Sequence, residues 1–322
     1  MDVLTHRSIE ANGIRIHLAE QGSGPLVLLC HGFPESWYSW RHQLAALSKA
    51  GFHAVAPDMR GYGRSGRPEQ IERYSMLHLV GDMVGVLDAL GTQQAVIAGH
   101  DWGAPVAWHA ALLRPDRFRG VIGLSVPYRP RGSQLPTSVM AQTDEAQFYQ
   151  LYFQTPGTAE AELEADTRLS IRKILYSWSG EMPRPAGGAG AGMVPRSGGL
   201  LSRIPDPQVL PSWLTDADVE VWVEQFRDSG FRGGLNWYRN IDRNWELTAA
   251  FTRAPVAVPA LYIAGELDPV LAFPRMREAI ADLARFIPQL RGTLLLPGCG
   301  HWTQQERPDQ VNAAMIDFLR GL

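Results

Sequence analysis

Three residues that can do chemistry lie just past the ends of predicted strands. Asp101 follows the apolar run QAVIAG, Asp268 follows ALYIAGE, and His301 follows TLLLPGCG. Ligands bind beyond the carboxyl ends of the strands in an open parallel sheet, so we expect the three side chains to meet there. Their chain order is nucleophile, acid and histidine, one of the orders in which hydrolytic triads occur.

The stretch Gly-His-Asp-Trp-Gly around Asp101 has the outline of a nucleophile elbow, with a carboxylate in place of the usual serine. Serine attacking a saturated carbon would leave an inert ether, whereas a carboxylate leaves an alkyl ester that water can cleave. An ordinary aspartate has a pKa of about 3.9, so it is ionised at neutral pH and needs no base for this attack. The sequence therefore predicts Asp101 as a nucleophile toward saturated carbon and excludes a serine-type esterase.

The second step, hydrolysis of the ester, predicts roles for the other two residues. His301 is expected to take a proton from the attacking water. Asp268 is expected to orient the imidazole and stabilise its protonated form. The step passes through an oxyanion, and the elbow geometry offers the backbone N–H of Trp102 as one donor to it.

Strands and helices alternate along most of the chain, which predicts the α/β class with a mostly parallel sheet covered by helices on both faces. Asn12-Gly13 predicts an N-terminal hairpin. The alternation stops between Tyr128 and Trp245, where no strand is evident. We expect residues 1–127 and 246–322 to form the core and residues 128–245 a helical cap inserted into it. Within the cap, the glycine-rich residues 183–199 predict a mobile loop.

Composition excludes several classes of partner. The 322 residues carry a net charge of −3, which gives no reason to expect nucleic acid or an anionic membrane as a partner. The two cysteines, Cys30 and Cys299, are too few for a disulfide framework, and the polar N-terminus offers no secretion signal, so we expect a cytoplasmic protein. The histidines show no metal-ligand spacing, so neither a metal nor a cofactor is expected.

The chain resembles the soluble-type epoxide hydrolases of the α/β-hydrolase fold. The resembling stretches are HGFPESWYSWRHQLAAL, DMRGYGRS, GHDWGAPVAW, FYQLYFQTPGTAEAELE, SGFRGGLNWYRNIDRNW and GCGHWTQQERP. The resemblance implies that the protein converts an epoxide to a vicinal diol, with a small apolar epoxide and water as its substrates. It leaves open which epoxide is used and whether the protein is a monomer or a homodimer.

The resemblance also implies site residues that spacing alone does not give. Tyr149 and Tyr238 match the two cap tyrosines that donate to the oxygen of the opening epoxide. Phe33 matches the position whose backbone N–H is the second oxyanion donor, and Pro34 follows it with a cis bond expected. The substrate pocket is expected to include the side chains of Phe33, Trp102, Tyr149 and Tyr238. Tyr152 is the obvious alternative to Tyr149.

Structural interpretations compete with each of these roles. Asp101 could cap the following helix, Asp268 could cap a loop, and His301 could be a buried core histidine. Asp58 also follows a strand, and we expect it to hold the turn around Gly61 and Gly63.

Two other functions stay open. A haloalkane dehalogenase also uses an elbow aspartate, but it needs halide donors, commonly an asparagine where this chain has Phe33. A non-catalytic binding protein could retain the fold, although such proteins typically lose a triad residue.

Overall fold

The computed structural model describes residues 3–183 and 191–322. Within them an eight-stranded sheet runs in the order β1-β2-β4-β3-β5-β6-β9-β10, and β7 pairs with β8 separately. The strands are β1 (Thr5–Ala11), β2 (Ile14–Gln21), β3 (Leu26–Cys30), β4 (His53–Pro57), β5 (Ala95–His100), β6 (Phe118–Leu124), β7 (Ala146–Phe148), β8 (Met193–Pro195), β9 (Ala260–Gly265) and β10 (Leu290–Leu296). β1 and β2 are antiparallel to their neighbours, and every other pairing in the large sheet is parallel.

Helices cover both faces of this sheet, as the alternating pattern predicts. The α-helices of the described residues are α1 (Arg41–Lys49), α2 (Met76–Ala89), α3 (Gly103–Leu113), α4 (Tyr149–Tyr152), α5 (Thr158–Ala165), α6 (Thr167–Ser177), α7 (Asp216–Ser229), α8 (Arg232–Arg239), α9 (Ile241–Leu247), α10 (Met276–Ala281), α11 (Leu283–Phe286), α12 (Thr303–Glu306) and α13 (Pro308–Arg320).

The apolar side chains of the central strands divide between two cores. On β3, Val27 and Leu29 pack with the core that contains α1 and α13, whereas Leu28 packs with the core that contains α2 and α3. Successive side chains of a strand point to opposite faces, so a continuous apolar run is required when both faces are covered. The mostly parallel α/β class is therefore confirmed.

Two local signals in the sequence are also confirmed. Asn12 and Gly13 both have positive φ, 47° and 74°, in the tight turn that joins β1 to β2. Both central residues of a type I′ turn need this conformation, which asparagine and glycine adopt readily. Gly51 and Gly91 follow α1 and α2 with φ of 91° and 64°, as expected of residues that end a helix.

The segment between β6 and β9 differs in part from the expectation. It supplies α4 to α9, but it also contains β7 and β8, so the prediction that it lacks strands was wrong. Each of these strands has only three residues, too few to produce an alternating pattern. In the predicted loop 183–199, residues 184–190 lie outside the described residues, and β8 occupies part of the remainder.

Both cysteines are buried and free of disulfides, and burial raises the pKa of each thiol. No helix in the described ranges combines the length and the apolarity that crossing a membrane would need.

A buried ion pair lies where α2 meets α8 of the segment between β6 and β9. Arg60 Nε lies 2.8 Å from Asp82 Oδ2, and both side chains are almost fully buried. Asn12 Nδ2 donates to Asp82 Oδ1 at 2.9 Å, and the carbonyl oxygen of Arg60 accepts from Trp237 Nε1 at 3.0 Å. The pair therefore joins the hairpin, α2 and α8.

Replacing Asp82 with alanine should destabilise the fold strongly, because it leaves the guanidinium of Arg60 buried without a counter-charge. We expect the free energy of unfolding to fall by about 3–5 kcal/mol, measured by denaturant titration. The matched control is Asp88→Ala, which removes the exposed carboxylate paired with Arg117 and should cost less than about 1 kcal/mol. Equal losses in the two variants would contradict this assignment.

Candidate active site

Asp101 lies at a sharp turn between β5 and α3. Its φ is 50°, a conformation that is uncommon for residues other than glycine. The turn needs glycine on both sides: a Cβ atom on Gly99 would lie 1.9 Å from the carbonyl oxygen of Gly103, and a Cβ atom on Gly103 would lie 2.0 Å from that of Cys30. The Gly-x-Asp-x-Gly pattern thus reflects steric necessity, and the turn presents the carboxylate above the sheet.

The three residues singled out from the sequence are brought together at this edge of the sheet. His301 Nε2 lies 3.5 Å from Asp101 Oδ2, and His301 Nδ1 lies 3.1 Å from Asp268 Oδ1. Asp268 Oδ1 also accepts from the backbone N–H of Val270 at 2.9 Å. Ser125 Oγ lies 3.1 Å from His301 Nδ1 as well. The imidazole is therefore held between two carboxylates.

This arrangement shifts the pKa values of His301 and Asp268. Burial alone would lower the pKa of His301, but Asp268 and then Asp101 oppose it and raise that pKa to about 10. Burial alone would raise the pKa of Asp268, and its pairing with His301 holds it below the ordinary value instead. At neutral pH the site therefore contains an imidazolium between two carboxylates.

One oxygen of Asp101 is fixed by the backbone. The N–H of Phe33 donates to Asp101 Oδ1 at 2.8 Å, and the Phe33–Pro34 bond is cis, as expected. A Cβ atom on Gly32 would lie 2.3 Å from Oδ1 and 2.7 Å from the backbone nitrogen of Trp102, so Oδ1 and that nitrogen lie against the same glycine. Donation by the N–H groups of Phe33 and Trp102 to an oxyanion stays a prediction.

A buried polar network behind the site was not anticipated from the sequence. Glu35 Oε1 accepts from the N–H of Gly32 at 2.9 Å and lies 2.7 Å from His100 Nδ1. Its other oxygen accepts from Gln304 Nε2 at 3.0 Å, and His100 Nε2 lies 2.7 Å from the carbonyl oxygen of His301. These contacts join the loops that carry Phe33, Asp101 and His301. The one available signal was a glutamate in the stretch HGFPES, just after the apolar run LVLLC.

Tyr149 and Tyr238 come from α4 and α8 and line one cavity together with Asp101 and His301. Their ring centroids are 5.8 Å apart. Burial, with the nearby charge on Asp101, raises the pKa of both phenols, so both are protonated at neutral pH and can donate. The alternative, Tyr152, donates to Glu162 at 2.7 Å and does not appear among the described residues that line the cavity.

Two glutamine side chains donate hydrogen bonds to Tyr149 and Tyr238, and the indole of Trp237 anchors the residue before Tyr238. Gln150 Nε2 donates to the Tyr149 hydroxyl oxygen at 3.1 Å, which leaves the hydroxyl hydrogen of Tyr149 free to point elsewhere. The carbonyl oxygen of Tyr238 accepts from Gln154 Nε2 at 3.0 Å. The preceding residue, Trp237, is anchored on Arg60 as described above. Gln150 and Gln154 lie within the resembling stretch FYQLYFQTPGTAEAELE, but nothing in the sequence indicated these contacts.

The cavity has a volume of about 310 Å³, within the usual size of small-molecule sites. Its walls are mostly apolar and include Phe33, Phe153 and Trp178, whose ring centroid lies 4.9 Å from that of His301. A substrate contact by the Trp102 side chain stays a prediction. Its indole is not among the described lining residues and packs edge-on against Tyr238, with ring centroids 5.1 Å apart.

Asp58 and His17 are titratable residues with structural contacts. Asp58 Oδ2 accepts from the N–H of Arg64 at 3.1 Å and lies 2.8 Å from His17 Nδ1, so it holds the turn at Gly63 as expected.

Over residues 3–183 and 191–322, no group of three or more histidine, cysteine or acidic side chains is arranged to hold a metal ion.

Comparisons with known proteins agree with this geometry. Residues 25–308 match the family model described as alpha/beta hydrolase fold. The chain is 46% identical to epoxide hydrolase A of Mycobacterium tuberculosis, over 100% of this chain and 99% of that protein. It is 41% identical to epoxide hydrolase 3 of Siraitia grosvenorii, over 99% of each.

A solved structure, that of an epoxide hydrolase from an endophytic Streptomyces, superposes with a TM-score of 0.95 at 48% identity. The match covers 99% of this chain and 96% of that one. The chain therefore belongs to the epoxide hydrolases of the α/β-hydrolase fold.

Proposed function

We propose that the protein hydrolyses an apolar epoxide to a vicinal diol through an ester on Asp101. One observation carries the proposal: a carboxylate with a buried His–Asp pair behind it and two protonated phenols share a single cavity. A carboxylate can attack the ring carbon, and the phenols can donate to the ring oxygen. Each group needed to open an epoxide therefore faces the same small volume.

In the first step the free oxygen of Asp101 attacks. Oδ1 is engaged by the Phe33 N–H, so Oδ2 forms the bond to the ring carbon while the carbon–oxygen bond of the ring breaks. The released alkoxide takes a proton from Tyr149 or Tyr238. The imidazolium of His301 is the nearby acid that can restore that proton, which leaves His301 neutral.

Formation of the ester prepares the second step. Alkylation removes the negative charge of Asp101, which is one of the charges that raise the pKa of His301. The imidazole can then stay neutral and accept a proton from water. The hydroxide adds to the carbonyl carbon of the ester, and the Phe33 N–H stabilises the oxyanion at Oδ1. Collapse releases the diol, which takes its last proton from the new carboxyl group.

We further propose that residues 128–245 act as the cap and residues 1–127 with 246–322 as the core. The positions of the reacting residues support this division, because both tyrosines come from the inserted segment and Asp101, Asp268 and His301 come from the rest of the chain. The two buried free cysteines favour a cytoplasmic location, since reduced thiols persist there.

Stability should depend on pH through His301. Its folded pKa of about 10 lies above the ordinary value of 6.5, so pairing stabilises the fold fully below pH 6.5 and this contribution is lost as pH rises through 10. The difference in free energy of unfolding between the wild type and His301→Gln should therefore shrink over that range, measured by urea titration at several pH values. A difference that does not change with pH would contradict the ion pairing.

The variant His301→Gln should stop after the first step. Asp101 needs no base to attack, whereas water needs one, so ester hydrolysis should slow by about 10²–10⁴. Intact-protein mass spectrometry should then detect the protein plus the mass of one epoxide. The control is the double variant Asp101→Asn, His301→Gln, which should gain no mass. A folded His301→Gln protein that gains no mass would exclude this division of roles.

The tyrosines should act in ring opening alone. Either Tyr149→Phe or Tyr238→Phe should lower epoxide turnover by less than about 10²–10⁴, because the other hydroxyl still donates, and the double variant should be nearly inactive without accumulating ester. Tyr152→Phe is the matched control and should turn over normally, since its hydroxyl is bonded to Glu162. Diol formation gives the rates. Near-normal turnover in the double variant would rule out the phenols as donors.

A further inference from the structure

Gln150 reaches back to the hydroxyl of the residue before it. Its Nε2 lies 3.1 Å from the hydroxyl oxygen of Tyr149, close enough for the amide N–H to donate. Consecutive residues of a helix do not normally face one another, so a side-chain contact between them is not a product of helix geometry alone. The long glutamine side chain therefore places a neutral donor on one of the two phenols of the cavity.

Gln154 holds the backbone that carries this pair. Its Nε2 donates to the carbonyl oxygen of Gln150 at 2.8 Å and to that of Tyr238 at 3.0 Å. The backbone N–H of Tyr149 donates to the carbonyl oxygen of Gly192 at 2.8 Å, just before β8. These bonds join the first residues of α4 to α8 and to the start of β8. The amide of Gln150 therefore extends from a backbone that is held on two sides.

The surroundings of the Tyr149 ring are largely aromatic. The ring centroids of Phe148 and Phe153 lie 4.7 Å and 5.5 Å from its own, and phenylalanine offers no hydrogen-bond donor. Among the described residues, the side chains that hydrogen-bond to this hydroxyl are those of Gln150 and Tyr238. A negative charge formed on the Tyr149 oxygen would therefore depend on few donors.

The proposed reaction creates such a charge. When the ring opens, Asp101 becomes a neutral ester and the alkoxide takes a proton from a phenol, so the negative charge moves to a phenolate. Hydrogen bonds to charged acceptors are roughly twice as strong as those to neutral ones. The bond from Gln150 is thus stronger after proton transfer than before it, and such a difference accelerates the step. Burial, and then the charge on Asp101, raises the pKa of Tyr149, and the bond from Gln150 opposes that rise.

We propose that Gln150 is a positioning residue for ring opening: its amide N–H directs the hydroxyl hydrogen of Tyr149 toward the opening epoxide and stabilises the phenolate that proton transfer leaves. The inference rests on the proposed function, because Tyr149 must give up a proton. The O–H bond of the phenol breaks as the O–H bond of the hydroxy ester forms, and the imidazolium of His301 later restores the phenol. Gln150 keeps its own protons throughout.

The test is a double-mutant cycle between Gln150 and Tyr149. Gln150→Met keeps a similar volume without a donor and should slow ring opening by about tenfold, as expected for loss of a hydrogen bond to a charged group. In the Tyr149→Phe background the same substitution should cost less than about twofold, because no phenol is left to stabilise. In the Tyr238→Phe background the full cost should remain. Loss of 1,2-epoxyhexane in rapidly quenched single turnovers gives the rates.

Two control variants separate donation by Gln150 from packing. Gln150→Glu keeps the shape of the side chain, but its ionised carboxylate can only accept, so it should slow ring opening at least as much as Gln150→Met. Gln154→Met removes a glutamine that bonds to backbone carbonyl oxygens, so its effect should be the same with and without the Tyr149 hydroxyl. Hydrolysis of the ester, followed by the decay of its mass, should be unchanged in Gln150→Met.

The outcomes distinguish this inference from the proposed function. An equal cost of Gln150→Met in the wild-type and Tyr149→Phe backgrounds would overturn it, as would normal ring opening in Gln150→Glu. If circular dichroism shows that the Met variant is unfolded, the Glu variant is taken through the same cycle. If neither folds, Gln150 serves the fold and the inference fails. Loss of the proposed function would look different, since the wild type would consume no epoxide and His301→Gln would gain no mass.

Discussion

The charge on Asp101 governs the state of the groups around it. While the carboxylate is ionised, Asp268 and then Asp101 favour the protonated form of His301, and burial together with the charge on Asp101 raises the pKa of both phenols. When that charge is lost, as it is on formation of an ester, the imidazole loses one of the two partners that hold its proton. On the proposed mechanism, the event that completes the first step thus supplies the base for the second. The polar network of Glu35 and His100 contributes by fixing the loops on which this depends.

The reacting groups come from two parts of the chain, so the contacts between these parts matter for chemistry as well as for stability. Tyr38 donates to Asp218 at 2.9 Å, and Arg41 lies 3.4 Å from the same carboxylate. On another side, Asn244 accepts from the N–H of Met76 at 2.6 Å. These contacts, with the bond from Trp237 to the carbonyl oxygen of Arg60, join helices of the segment between β6 and β9 to the parts of the chain around α1 and α2.

The sequence allowed prediction of groups that local patterns mark. The turn at Asp101 needs two glycines and a strand before it, and Asp268 and His301 each follow an apolar strand, so their positions could be inferred one by one. Tyr149 and Tyr238 needed the resemblance, because tyrosines in an aromatic-rich segment are usually packing residues. The elbow fixes the backbone of Trp102 and not the direction of its indole, so a substrate contact by that side chain stays a prediction.

Other features depend on contacts between distant segments, which no local pattern records. Glu35 and Gln304 meet across most of the chain, and their pairing depends on where two loops end. The strands β7 and β8 pair with each other and are too short to alternate.

The unequal surroundings of the two oxygens of Asp101 have a consequence over many catalytic cycles. Oδ1 is held by the Phe33 N–H at 2.8 Å, and Oδ2 lies 3.5 Å from His301 Nε2. On the proposed mechanism each diol carries away the oxygen that attacked, and water replaces it, while Oδ1 stays with the protein throughout. One oxygen of this side chain is thus a permanent part of the protein, and the other is a reagent renewed from solvent at every turnover.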